Sequence, residues 1–276
     1  MRKIVSIALA VMMFAFVLTG CAKAKDAAEN AVSDAVAAND GTNAANDSAA
    51  QSDTQQSEPA GGKSDSASDF VTAYMEAKST ALTRLMDGLG NNQDTMMNAF
   101  SFLGISMSDL YLLPAVYFGL GESSVSTALA MMGAKDVTYD EQGNKYTITF
   151  KNADEKVMKM VGTYDKGRSL MTVGSTDGTE DNFFEVYRTS FGYVSQYYFI
   201  SSDGIGTVYQ IAVTGTDGAF SIVTDVDRPA ALTGNEGADF PKAAKEWYAI
   251  NGNTITGMTA DGKSVNFEYV PSENQG

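Results

Sequence analysis

The chain predicts an α+β fold: N-terminal helices packed on a long antiparallel β-meander, a curved sheet or half-barrel, followed by a C-terminal helix and hairpin. Three observations carry this. Apolar residues recur at helical spacing from Ser68 to about Ala134. From Val137 the apolar period changes to two. Turn dipeptides then punctuate the rest of the chain at short intervals.

The helices come in order. Phe70, Tyr74, Ala77, Ala81, Leu82 and Leu85 form one stripe, with Ser68 or Asp69 as cap. Gly88 and Gly90 predict its end. Asp94 to Leu103 predicts a second helix through Met96, Met97, Phe100 and Leu103. Ser108 and Asp109 predict the start of a third through Leu110, Leu113, Val116 and Tyr117, where Pro114 is a misfit unless the helix starts there. Ser123 to Met132 predicts a fourth.

The strands follow. Tyr146, Ile148 and Phe150 alternate with Thr147, Thr149 and Lys151. Tyr209, Ile211 and Val213 repeat the pattern, as do Val265, Phe267 and Tyr269. Such alternation gives one buried and one wet face, the habit of antiparallel sheets. Turns are expected at Gln142-Gly143-Asn144, Asn152-Ala153-Asp154, Asp165-Lys166-Gly167, Asp177-Gly178, Asp203-Gly204, Asp217-Gly218 and Asp261-Gly262. They divide the chain into eight strands up to Val226. Asp239 to Tyr248 predicts the C-terminal helix. No repeat of about 20 to 50 residues appears, which argues against a solenoid. This order of elements is similar to that of the half-barrel lipoprotein carriers of the LolA type, by element order alone and with no motif matched.

The first residues have a different character. Arg2 and Lys3 precede Ile4 to Leu18, a run that is apolar except for Ser6. A charged start and an apolar stretch mark an export signal. The run is shorter than the roughly 20 residues a spanning helix needs. It ends in Leu18-Thr19-Gly20-Cys21, which resembles a lipobox, the processing site of bacterial lipoproteins. The resemblance covers residues 1–21. It implies cleavage before Cys21 and diacylglycerol on its sulfur, with acylation of the new amino group left open and palmitate among the expected acyl chains. Two or more acyl chains anchor stably where one is marginal.

Residues 22–67 are Ala, Asn, Asp, Ser, Gln and Gly with scattered charges, and Val32 and Val36 are their only larger aliphatics. That composition cannot bury enough surface to offset ordering entropy, so a low-complexity linker is expected over 21–67. The expected organisation is a signal peptide at 1–20, the lipidated cysteine and linker at 21–67, and one α+β domain at 68–276.

Composition excludes several functions. The net charge is −15, and loss of Arg2 and Lys3 with the leader takes it to −17. Nucleic acid is therefore not an expected partner. There is no histidine, which rules out a Ser–His–Asp triad, a Cys–His pair and an HExxH zinc site. The single cysteine permits no disulfide within the chain and no cysteine metal cluster. No cofactor is expected.

Four patterns invite a functional reading. Gly257-Met258-Thr259-Ala260-Asp261-Gly262-Lys263-Ser264 fits GxxxxGK[ST], yet a phosphate loop needs a helix after it, and Val265 to Tyr269 alternates as a strand. A hairpin turn is expected there instead. Asp177, Glu180 and Asp181 form an acidic loop without the spacing of a calcium loop. Carboxylates could run glycoside hydrolysis without histidine, but no pair is marked by the sequence. Finally, Tyr187, Tyr193, Tyr197, Tyr198 and Phe199 make an aromatic hairpin, with Phe183, Phe184 and Phe191 nearby. Tyr197 and Phe199 should face one side, and Tyr198 and Ile200 the other. Met96, Met97, Met107, Met131, Met132, Met158, Met160 and Met171 add adaptable apolar surface. These residues fit a core or the wall of an apolar cavity.

The expectation is a lipid-anchored, extracytoplasmic, non-catalytic domain of the cell envelope. It would bind an apolar small molecule or lipid. The alternative is an envelope structural or protein-interaction module, and a carboxylate hydrolase stands third. The oligomeric state is left open.

Overall fold

The computed structural model describes residues 66–168, 170–176, 181–201 and 203–271. The expected leader, Cys21, the expected linker up to residue 65 and the turn expected at Asp177-Gly178 lie outside those residues.

α1 (Ala67–Asn91) opens the described chain. Its cap is Ser66, whose Oγ accepts from the Asp69 amide at 3.1 Å, so Ser68 and Asp69 sit inside the first turn. The helix also runs through Gly88 and Gly90. Gly88 is a contact residue, not a stop: a Cβ there would lie 2.2 Å from Ile255 Cδ1. α2 (Met96–Ser101) is shorter than the run Asp94–Leu103 suggests. α3 (Leu103–Leu112) starts five residues before Ser108, so Ser108 and Asp109 lie mid-helix. A 3-10 turn, Leu113–Tyr117, places Pro114 in its first turn, where its missing N–H costs nothing. α4 (Glu122–Met131) is the fourth helix.

Eleven strands follow in one antiparallel sheet, each paired with its sequence neighbours. They are β1 (Lys135–Gln142), β2 (Lys145–Lys151), β3 (Val157–Asp165), β4 (Leu170–Thr176), β5 (Asp181–Arg188) and β6 (Tyr193–Ile200). β7 (Gly206–Thr214), β8 (Asp217–Thr224), β9 (Glu246–Asn251), β10 (Thr254–Met258) and β11 (Ser264–Glu268) complete it. No pairing among the described residues joins β1 to β11, so the sheet is not closed.

Two expectations change here. Asp239 to Tyr248 is not a helix. Only Phe240–Ala243 makes a 3-10 turn, and Glu246 already opens β9, where Trp247 and Tyr248 pair with Ser221 and Phe220 of β8. The turn expected at Asp217-Gly218 falls at Gly215-Thr216, with Asp217 paired to Thr214. Gly215 supplies the positive φ of 58° that this tight turn needs. The hairpin at Asp261-Gly262 forms, and a strand, not a helix, follows the phosphate-loop lookalike.

α1 lies on one face of the sheet. Phe70 meets Tyr164 of β3 at 5.1 Å between ring centroids, Tyr74 meets Phe184 of β5 at 5.5 Å, and Gly88 reaches Ile255 of β10. α1 thus packs against strands from β3 to β10 on one face of the sheet. The principal core is this inner layer, built from α1, Phe102, Ile105, Phe118 and the inward strand residues.

The outer face is not uniformly wet. Residues 225–245 cross it as a strap, burying Leu232 against Tyr187, Val194 and Ala212. Glu185 pins the strap: its carboxylate accepts from Gln196 Nε2 at 2.8 Å and from the Leu232 amide at 2.9 Å. Gln196 in turn donates to the Ala230 carbonyl at 2.8 Å. The central strands are thus covered on both sides, which explains why most of β6 is buried on both faces.

Candidate functional site

The site lies where α3 crosses the sheet. α3 contributes Gly104, Met107, Ser108 and Tyr111. The sheet contributes Asn182 of β5, Tyr197, Phe199 and Ile200 of β6, Ser201 just beyond it, and Tyr209 of β7. Between them is a half-open pocket of about 370 Å³. That lies toward the small end of ligand pockets, which run roughly 300–1,000 Å³.

The sheet wall is an aromatic cluster. Phe199 lies 5.8 Å from Tyr197 and 5.3 Å from Tyr209, and Tyr197 and Tyr209 stack at 6.3 Å. Alternation along β6 puts Tyr197 and Phe199 on the inner face, as the sequence predicts. α3 approaches this wall closely because Gly104 has no side chain. A Cβ at Gly104 would lie 2.2 Å from the Tyr209 hydroxyl oxygen. Burial holds the Tyr209 phenol above its ordinary value, so it stays protonated.

The helix wall is adaptable. Met107 and Tyr111 are exposed at the mouth, whereas Ser108 is buried and donates to the Ile105 carbonyl at 2.6 Å. Of the eight methionines expected to add apolar surface, only Met107 lines the pocket. Met160 and Met171 are core, Met96, Met97 and Met131 stand on exposed helix faces, and Met132 is exposed just past α4.

Behind the helix wall is a charged pair. Lys78 of α1, only 1% exposed, contacts Asp109 of α3 through Nζ. Nζ also reaches the Ile105 carbonyl at 3.5 Å and lies 5.8 Å from the Tyr74 ring. Burial pushes the Asp109 carboxyl up from the ordinary range, and the charge and hydrogen bond of Lys78 offset part of that rise. The Tyr74 hydroxyl bonds Ser195 Oγ at 2.6 Å, and burial raises its phenol far above the ordinary value. These four residues tie α1 and α3 to β6 through buried polar contacts.

The sequence pattern held a signal for this pair. Lys78 falls on the stripe Tyr74, Lys78, Leu82, Leu85, and Asp109 on Ile105, Asp109, Leu112. A charge on an apolar stripe calls for a buried partner.

Among the described residues the pocket wall carries no carboxylate, amine or thiol. Its chemistry is apolar and aromatic contact, with hydroxyls and one amide to orient a ligand. Among the described residues no group of three His, Cys, Asp or Glu could hold a metal ion. Of the acidic loop, Asp177 and Glu180 lie outside the described residues, and Asp181 opens β5. No protein-family model, no curated protein and no solved structure matches the chain.

Proposed function

We propose that this chain is an extracytoplasmic lipoprotein, anchored by lipid on Cys21, whose domain binds an apolar ligand without catalysing a reaction. The observation that supports it is the pocket between α3 and β5–β7, with Met107 and Tyr111 at its mouth and Tyr197, Phe199 and Tyr209 as its wall. Large flat rings and a flexible thioether suit an acyl chain or a small aromatic skeleton. The lipobox-like segment supports the anchor. A membrane partner enters through that lipid, and nucleic acid is disfavoured by the acidic surface.

The test is titration with a neutral probe that fluoresces in apolar surroundings, such as N-phenylnaphthylamine. The proposal expects saturable binding to one site. Met107→Trp fills the mouth from an exposed position and should weaken binding by about tenfold or more. Equal binding by both chains would place the probe elsewhere and remove the pocket from the account.

A further inference from the structure

We infer that the exposed apolar face of α2 and α3 docks onto the lipid bilayer that carries the chain's own anchor. Between Thr95 and Gly121 the chain has a single charged residue, Asp109, and that residue is buried against Lys78. Yet Met97, Phe100, Met107 and Tyr111 are 71%, 56%, 51% and 52% exposed. Met107, Leu110 and Tyr111 are spaced i, i+3, i+4, so they share one side of α3. In α2 no residue is buried. A charge-free apolar surface on a chain of net charge −15 is a contact surface.

The run Met96–Tyr117 is apolar and long enough to cross a membrane by length and composition. It does not form one rod. It breaks at Phe102 and Leu113, and Phe102, Ile105, Leu112 and Ala115 are packed into the core. One side is committed to the sheet, so the other can lie on a bilayer but not span it.

The bilayer is selected by the chain that precedes the domain. If Cys21 carries lipid, residues 22–66 hold α1 within about 150 Å of the membrane even when fully extended. Tethering makes docking an intramolecular event, so a modest patch suffices. The side chains fit the task. Met, Phe and Leu enter the acyl boundary, and Tyr111 suits the headgroup level. The face offers no Lys or Arg to anionic headgroups, so the surface it fits is zwitterionic lipid. This inference rests on the proposed anchor and adds that Met107 and Tyr111, which frame the pocket mouth, meet the lipid directly.

The experiment uses the mature chain from Cys21 to Gly276. Its only thiol, at Cys21, is coupled to a maleimide phospholipid in phosphatidylcholine vesicles. Phe100→Trp adds a reporter on α2, and the native chain, with Trp247 alone, is the reference. In vesicles of dibrominated phosphatidylcholine the added emission should shift blue and lose more than half its intensity. Adding Met97→Glu should restore it, and the native emission should not change. Equal added emission in brominated and plain vesicles overturns the inference. If that emission is red, the face stays in water. If it is blue, a second copy covers it. Because the coupling supplies the anchor, such a failure leaves the lipoprotein proposal standing, which the intact mass of the cell-derived chain tests separately.

Discussion

Lys78 of α1 meets Asp109 of α3 inside the core, and Ser108, one residue before that carboxylate, lines the pocket. The pair therefore couples the central helix to the wall of the site. A buried ion pair is weak evidence for net stability, because desolvation offsets the attraction. Its clearer consequence is positional: each charge has one partner, so α3 has one preferred seat on α1.

Removing one member should cost far more than removing both. Lys78→Met leaves Asp109 buried without its cation and should destabilise by about 3–5 kcal/mol. The double variant Lys78→Met, Asp109→Leu should recover most of that loss. Denaturant unfolding measures both, and equal losses in the single and double variants would contradict the coupling.

Gly104 sets how closely α3 approaches the sheet. Gly104→Ala puts a Cβ 2.2 Å from the Tyr209 oxygen, so helix or ring must move. Overpacking of this kind costs about 1–3 kcal/mol. Tyr209→Phe removes the offending oxygen and should return much of the loss in the double variant. Thermal unfolding of the four chains closes the cycle.

Two glycines in α1 should respond to alanine with opposite sign. Gly90 has nothing within 4 Å of a built Cβ, so Gly90→Ala should stabilise by about 0.4–1 kcal/mol. Gly88→Ala meets Ile255 Cδ1 at 2.2 Å and the Tyr269 ring at 3.0 Å, and should destabilise. A shared sign would mean α1 does not pass β10 as described.

Acid should loosen the outer strap before it unfolds the sheet. Glu236 accepts from the Thr233 and Gly234 amides, each at 2.8 Å. Partial burial alone would raise its carboxyl, but those hydrogen bonds outweigh it and hold the group below the ordinary range. A depressed carboxylate stabilises the folded form above its unfolded value of roughly 4.3, and that help is lost as pH falls. Trp247 reports on the strap, since Lys242 sits over its ring at 5.6 Å. Its emission should shift below about pH 4 while far-ultraviolet dichroism holds. Glu236→Gln should show no such step.

Much of the architecture was legible because it follows periodicity. Tyr146, Ile148 and Phe150 alternate in sequence and in fact line one face of β2. The errors have physical causes. Glycine ends many helices, but at Gly88 it permits a close approach of β10 to α1. Lys242, Ala243, Ala244, Lys245 and Glu246 are good helix formers, yet Pro241 and the pairing of Trp247 and Tyr248 with β8 override propensity. Ser108 and Asp109 resemble a helix start, although Asp109 is there for Lys78 across the core. Of the site, the inward Tyr197 and Phe199 were legible from alternation along β6. Gly104, Ser108, Asn182 and Tyr111 were not, because a pocket is made by the meeting of α3 with a distant sheet.

The central claim is that this domain holds an apolar ligand between α3 and β5–β7. Its most direct test is native mass spectrometry of the chain purified from cells, with solvent extraction and identification of what is bound. The account predicts a stoichiometric apolar adduct that is reduced in the Met107→Trp chain. A clean apo mass for the unmodified chain, with no uptake of added lipid, would contradict it.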